Sequence, residues 1–323
     1  MKFVQTLAAI ALASTASAYA QNVTWDMPTA YPESNPHTVT IRQFAADLEK
    51  ATNGQVKITV HSGGSLYRAP EIKRAVQSGQ AQAGEVIMSL LENENKIFGL
   101  DSIPFVATSF ADADRMWRAQ RPAVERLLAA QGIKLLYAVP WPPQGIFAKR
   151  EIKSGADFKG LKWRAYNAAT SKIAQMFGAQ PLTVQAAELS QALATGVVEA
   201  TMTSAATGVD SKLWENVSHY IPVNAWLPKN MVMVNQKAFD ALPKASQDAV
   251  VRIAADAEKK GWDRMRAYTD EATSILAKNK MIVAQPSAQL KQDMDKVGDD
   301  MLADWLKATG DDGKRIIDAF NKK

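Results

Sequence analysis

Cysteine is absent from all 323 residues, which excludes disulfides, thiolate nucleophiles and cysteine-held metals. Histidine is scarce. His37, His61 and His219 lie far apart and form no metal-binding spacing. The chain has no G-x-S-x-G elbow, H-E-x-x-H helix, G-x-x-x-x-G-K phosphate loop or G-x-G-x-x-G fingerprint, so the common hydrolase, metalloprotease and nucleotide-binding patterns are missing. Basic residues outnumber acidic ones by 38 to 33, yet nothing longer than pairs such as Lys259-Lys260 occurs. Without clustered basic residues there is no footprint for nucleic acid, although a mild positive field helps to collect anions. The acidic pairs Asp299-Asp300 and Asp311-Asp312 are too short for a calcium loop, which needs a longer run of oxygen ligands. No metal and no cofactor are expected.

Residues 1–20 carry one charge, Lys2, then an apolar run and the small-residue pattern Ala18-Tyr19-Ala20. This has the form of a secretory signal peptide with cleavage before Gln21, and it implies export to the periplasm. Beyond it no apolar run reaches the length of a membrane span. The remaining residues, in a chain that is 47% hydrophobic, exceed what one compact core usually holds, which favours two domains.

Strand and helix signals alternate. Residues 23–27 suggest a strand; Asn35 and Pro36 then offer a cap and a first helical position for Ile41, Phe44, Ala45 and Leu48 at helical spacing. Val56, Ile58 and Val60 alternate with polar neighbours, as in a half-buried strand. A helix over 69–78 and a strand over 83–88 follow, and the pattern is that of a doubly wound α/β domain. A second series opens with a strand over 133–139. It continues with a strand over 161–166, helices over 168–177 and 186–195, and a strand over 197–203. The stiff, Pro-rich segment from Pro140 to Gly145 is the expected domain crossover. Residues 75–83 and 192–200 echo one another, each with a helix end, a glycine (Gly79, Gly196) and a strand start. That correspondence puts Glu85 and Met202-Thr203-Ser204 at equivalent strand ends, where open α/β sheets bind ligands. From Ser246 to Asn279 the apolar positions, Val250 to Leu276, keep helical spacing. Such a helix of roughly 50 Å is long enough to brace both domains, and Gly261 within it is expected to permit a bend.

Arg164 stands on an apolar strand beside Leu161, Trp163 and Tyr166. An arginine in a cleft wall meets a carboxylate with two parallel hydrogen bonds; an internal salt bridge and plain exposure are the alternatives. Trp141, Phe147, Tyr166 and Trp226 are candidates for a cleft lining, with core packing as the alternative for each. Trp141 and Trp226 rank first because they flank Pro-rich connections.

The chain resembles the DctP-like solute receptors of TRAP transporters. The resemblance is carried by residues 31–37, residues 44–54, Ile103-Pro104-Phe105, residues 158–164 ending in Leu161-Lys162-Trp163-Arg164, and residues 188–199. It implies a two-lobed periplasmic binding protein of type II-like α/β fold, with lobe I over 21–141 and 229–267 and lobe II over 142–228 and 268–323. It also implies a monomer that delivers its solute to a membrane permease without transforming it. In this family the arginine of the Gly-Leu-Lys-x-Arg strand pairs with the ligand carboxylate, which points to Arg164. Sialic-acid-binding relatives have a second arginine where Gln144 stands and an asparagine where Thr203 stands. One cation and a neutral amide suit one carboxylate, so an aromatic or small apolar monocarboxylate is expected, lined by Arg164, Gln144, Thr203, Trp141, Trp226, Tyr166, Phe147, Glu85, Met202, Ser204 and Asn230. A receptor that signals to a membrane sensor, or a periplasmic enzyme acting on a small acid, are the competing readings.

Overall fold

The computed structural model describes residues 22–322; the leader expected at 1–20 lies outside them. The local signals act as expected at the N-terminus. Asn35 caps α1 (Pro36–Ala51) by accepting a hydrogen bond from the His37 amide, with Pro36 at the first position. Strand β1 (Val23–Pro28) pairs in parallel with β2 (Val56–His61), whose alternating burial turns Val56, Ile58 and Val60 inward. Helix α2 (Ala69–Ser78) leads to β3 (Ala83–Ile87), and α3 (Phe110–Ala129) leads to β4 (Ile133–Pro140). The first lobe's remaining sheet has the order β3-β10-β4, where β10 (Lys229–Asn235) returns from far along the chain and runs antiparallel to both neighbours. The strand over 133–140, which the sequence pattern makes the start of the second series, therefore belongs to the first sheet.

The second lobe holds a six-stranded sheet. It contains β5 (Gln144–Ala148), β6 (Lys162–Ala165), β7 (Gln180–Thr183), β8 (Ala200–Ser204), β9 (His219–Ile221) and β11 (Ile282–Val283), in the order β11-β9-β5-β8-β6-β7. Its helices are α4 (Ala168–Met176), α5 (Leu189–Ala194) and α6 (Ala205–Asp210). Both lobes are thus mixed rather than purely parallel, because β10 in one and β5 in the other run against their neighbours. Every residue of these two strands is buried, so neither shows the period-two alternation by which a strand is recognised.

The echo in the sequence is an echo in the backbone. Gly79 and Gly196 both take left-handed φ, at 78° and 71°. Beyond them the Ala81 amide returns to the Ala75 carbonyl and the Val198 amide to the Ala192 carbonyl, the same helix-ending pattern in both places. The two crossings between lobes lie side by side. The amides of Trp141 and Gln144 donate to the carbonyls of Pro228 and Trp226, and the Ala225 amide donates back to Gln144.

Two long helices bind the lobes together. Helix α8 (Lys244–Lys278) packs on α1 and β4 of the first lobe and on α6 and β11 of the second, and α9 (Ala288–Asn321) packs on α3 and on the turn at Gly155–Phe158. The short helix α7 (Gln236–Asp240) joins β10 to α8. Gly261 has another role than the bend expected of it. A Cβ there would lie 2.5 Å from Val139 Cγ2 and 3.2 Å from Thr40 Cγ2, so glycine is what lets α8 approach β4 and α1 closely. Gly261→Ala is expected to lower the melting temperature through overpacking that costs about 1–3 kcal/mol, partly offset by about 1 kcal/mol of helix propensity. In a Val139→Ala background the same substitution should become neutral or stabilising; an equal loss in both backgrounds would show that the contact is not the cause.

Candidate functional site

A cavity of about 270 Å³ opens between the lobes at the carboxyl ends of β3, β6 and β8, the position at which open α/β sheets bind ligands. Tyr31, Ile87, Leu90 and Trp141 line it from one side, with Gln144, Arg164, Tyr166, Gln185, Thr203 and Thr207 on the other. Arg164 is the third residue of β6, set in register between Leu182 of β7 and Thr201 of β8. Its Nε donates to the Val184 carbonyl at 2.8 Å, and its guanidinium lies 5.0 Å over the Tyr166 ring. The residue is only 2% exposed, and among the described residues no carboxylate pairs with it. Burial lowers its pKa to about 10, opposed by the neighbouring Tyr166 and Tyr31, so it remains a cation at neutral pH. A buried cation without a counter-ion is costly. This one faces a cavity that can admit an anion.

The second arginine of the cavity is different. Arg68, at the start of α2, pairs at 2.8 Å with Glu188 of the opposite lobe, and the two are 71% and 44% exposed. As an isolated pair near water it contributes little to stability, but it neutralises Arg68 and spans the cleft. The lobes also meet where Asn167 Nδ2 donates to Ser89 Oγ at 2.9 Å and where Asn35 donates to Asp210.

A chain of buried polar groups supports the first lobe's wall. Trp141 Nε1 donates to Asn230 Oδ1 at 2.7 Å, and Asn230 Nδ2 donates to Glu85 Oε1 at 3.0 Å. Thr29 also donates to Glu85. His37 Nδ1 lies 3.4 Å from the same carboxyl, but burial pushes His37 down to about 3 and leaves it neutral, so the contact is not an ion pair. Burial raises Glu85 to about 7, with the Thr29 and Asn230 hydrogen bonds opposing it.

Five of the residues expected at the site reach the cavity wall: Arg164, Gln144, Thr203, Trp141 and Tyr166. Four stand directly behind it. Trp226 donates to the Tyr166 hydroxyl, Asn230 and Glu85 hold Trp141, and Ser204 caps α6 through the Thr207 amide at 3.2 Å. The structure does not bring Phe147 or Met202 to the cavity. Phe147 stacks on Tyr220 with ring centroids 4.5 Å apart and packs against Gly208, whereas Met202 pairs with Ile146 in the core around Trp163. In a strand one residue of displacement reverses the face and two residues move down the sheet, so nearness in sequence to Gln144 and Thr203 does not place them at the site. Tyr31, Arg68, Gln185, Glu188 and Thr207 were not singled out from sequence. Tyr31 and Glu188 fall within segments that carry the family resemblance, which is the signal that could have found them; the others depend on loop paths.

The bacterial extracellular solute-binding protein family 7 model, DctP, matches residues 28–308. Among solved structures, a Bordetella pertussis extracytoplasmic solute receptor binding pyroglutamic acid is 50% identical, with a TM-score of 0.92 over 93% of this chain and all of that one. A marine metagenome TRAP solute binding protein specific for pyroglutamate, in complex with co-purified pyroglutamate, is 42% identical with a TM-score of 0.92 over 94% of this chain and all of that one. A solute-binding protein of Albidiferax ferrireducens is 25% identical over 226 residues, covering 68% of this chain and 66% of that relative's length. With the two-lobed fold, the interlobe cavity and a family match over nearly all the described residues, the chain belongs to the DctP family, the extracytoplasmic solute receptors of TRAP transporters.

Proposed function

We propose that this receptor captures a small cyclic monocarboxylate, pyroglutamate or a close relative, in the interlobe cavity and delivers it unchanged to a membrane permease from the periplasm. The observation that carries the reading is Arg164, the buried cation in the cavity wall with no carboxylate partner among the described residues. Arg68 is already neutralised by Glu188, so one ligand carboxylate balances the site and a second would not. The aromatic walls at Tyr31, Trp141 and Tyr166, with Ile87 and Leu90, suit the faces of a small ring. An aromatic or purely apolar acid, the expectation from sequence, would offer nothing to the second amide N–H of Gln144 or to the Thr203 hydroxyl in the cavity wall, and stranded buried polar groups are penalised. A ring that carries an amide engages them. Two relatives at 50% and 42% identity are receptors for pyroglutamic acid, which favours the same choice.

Calorimetric titration with pyroglutamate, benzoate and succinate tests this reading, with mass spectrometry of co-purifying solutes as a second measurement. Pyroglutamate is expected to bind most tightly. Strong binding of succinate or benzoate with none of pyroglutamate would overturn the assignment.

A further inference from the structure

We infer that Trp226 and Tyr166 are positioning residues that lock the Gln144 amide as a hydrogen-bond donor to the solute, making position 144 the selector for a ring carbonyl. The inference rests on the reading of Arg164 as the carboxylate anchor, because that contact orients the ring toward Gln144. An indole N–H can only donate, and Trp226 Nε1 lies 3.3 Å from the Tyr166 hydroxyl oxygen. Tyr166 therefore accepts from Trp226 and sends its own proton elsewhere. Its acceptor is Gln144 Oε1 at 3.4 Å.

The other end of the amide gives the same orientation independently. Gln144 Nε2 lies 2.9 Å from the Pro142 carbonyl oxygen, which can only accept. Oxygen toward Tyr166 and nitrogen toward Pro142 is thus the arrangement that satisfies both neighbours; rotating the amide by half a turn would set its oxygen against the Pro142 carbonyl and take the acceptor away from the Tyr166 proton. One amide N–H of Gln144 is left without a partner among the described residues, and Gln144 lines the cavity.

The backbone reinforces the arrangement. The Gln144 amide donates to the Trp226 carbonyl at 2.9 Å and the Gln144 carbonyl accepts from Ala225 at 3.1 Å. Gln144 and Trp226 are therefore tied to each other through main chain as well as through Tyr166, and all three side chains are buried. A pre-aimed donor at this point rewards an acceptor on the solute, and a solute lacking one leaves the donor unpaired. An arginine or lysine here would call for a second negative charge; an amide locked as donor calls for a carbonyl.

The test compares pyroglutamate with cyclopentanecarboxylate, which keeps the ring and the carboxylate but has no lactam. By calorimetry the unmutated protein is expected to prefer pyroglutamate by tenfold or more, on the order of what one unpaired buried donor costs. Gln144→Met, which keeps the bulk and removes the donor, should bring the two acids close to equal affinity. Tyr166→Phe, which frees the amide to rotate, should reduce the preference severalfold. The ratio is the readout, since general damage to the cavity weakens both acids together. An undiminished ratio in both variants would overturn the inference, as would equal affinities in the unmutated protein, which leave the carboxylate anchor intact. Binding of neither acid by the unmutated protein would instead remove the functional reading on which it rests.

Discussion

Arg164→Ala is expected to weaken carboxylate binding at least a hundredfold, measured as a dissociation constant by calorimetry. Closing the lobes over an acid buries its charge beside the guanidinium, and removing one partner of a buried ion pair costs about 3–5 kcal/mol. Each tenfold in affinity is about 1.4 kcal/mol. The same loss should appear in melting experiments. A ligand held at a hundred times its dissociation constant stabilises the folded state by about 2.7 kcal/mol, and a hundredfold weaker site at that concentration retains only about 0.4 kcal/mol. Arg164→Lys should be nearly as damaging. A lysine ammonium is a point charge that offers no planar pair of donors, and the Nε contact to the Val184 carbonyl is lost as well. Unchanged affinity in the alanine variant would remove Arg164 from the site. Because no carboxylate among the described residues pairs with Arg164, the alanine substitution breaks no internal ion pair and the ligand-free variant need not be less stable, which separates loss of binding from loss of fold.

The second large effect concerns Glu85, behind Trp141 and Asn230. Burial raises its pKa from 4.5 to about 7, so the folded protein keeps a proton on Glu85 at pH values where the unfolded chain has released it. The stability from this group is complete below about pH 4.5 and is lost as the pH rises through about 7. The free-energy change across that window is about 3 kcal/mol, at about 1.4 kcal/mol per pH unit. His37 acts in the opposite sense. Its folded pKa, about 3, lies below the ordinary histidine value of 6.5, so its contribution is present above that value and is lost as the pH falls. The two effects overlap between about pH 4.5 and 6.5, which is why the unmutated protein's own profile does not isolate Glu85. Glu85→Gln does isolate it, since glutamine keeps the shape and cannot ionise. The melting temperature of the variant relative to the unmutated protein should rise between pH 5 and pH 8. A constant difference over that range would show that Glu85 is not the buried proton site.

Much of the architecture was legible from short-range physics. Asn35-Pro36 marked the start of α1, the alternation of 56–60 marked β2, and Gly79 and Gly196 marked two matching helix ends. The long helix was visible from its spacing to within a few residues of Lys244–Lys278. Strands β5 and β10 were not, because uniformly buried strands lack alternation and their partners lie far away in sequence. Gly261 shows the same limit at the level of one residue. Its helix propensity is local, but the contacts with Val139 and Thr40 that explain it are not.

The sequence by itself determined the class of protein, through the family segments, and it singled out Arg164 as an arginine on an apolar strand. Tertiary structure alone decided which neighbours share the cavity with it. Strand pairing put Gln144 and Thr203 at the wall and turned Phe147 and Met202 into the cores, and it set Trp226, Asn230 and Glu85 one layer behind. The physical reason is that a side chain's type follows from its own residue, whereas the face it presents and the charge it meets depend on register and lobe contacts. The pairing of Arg68 with Glu188, which among the described residues leaves Arg164 as the cavity arginine without a carboxylate partner, exists only when two distant segments are folded against each other.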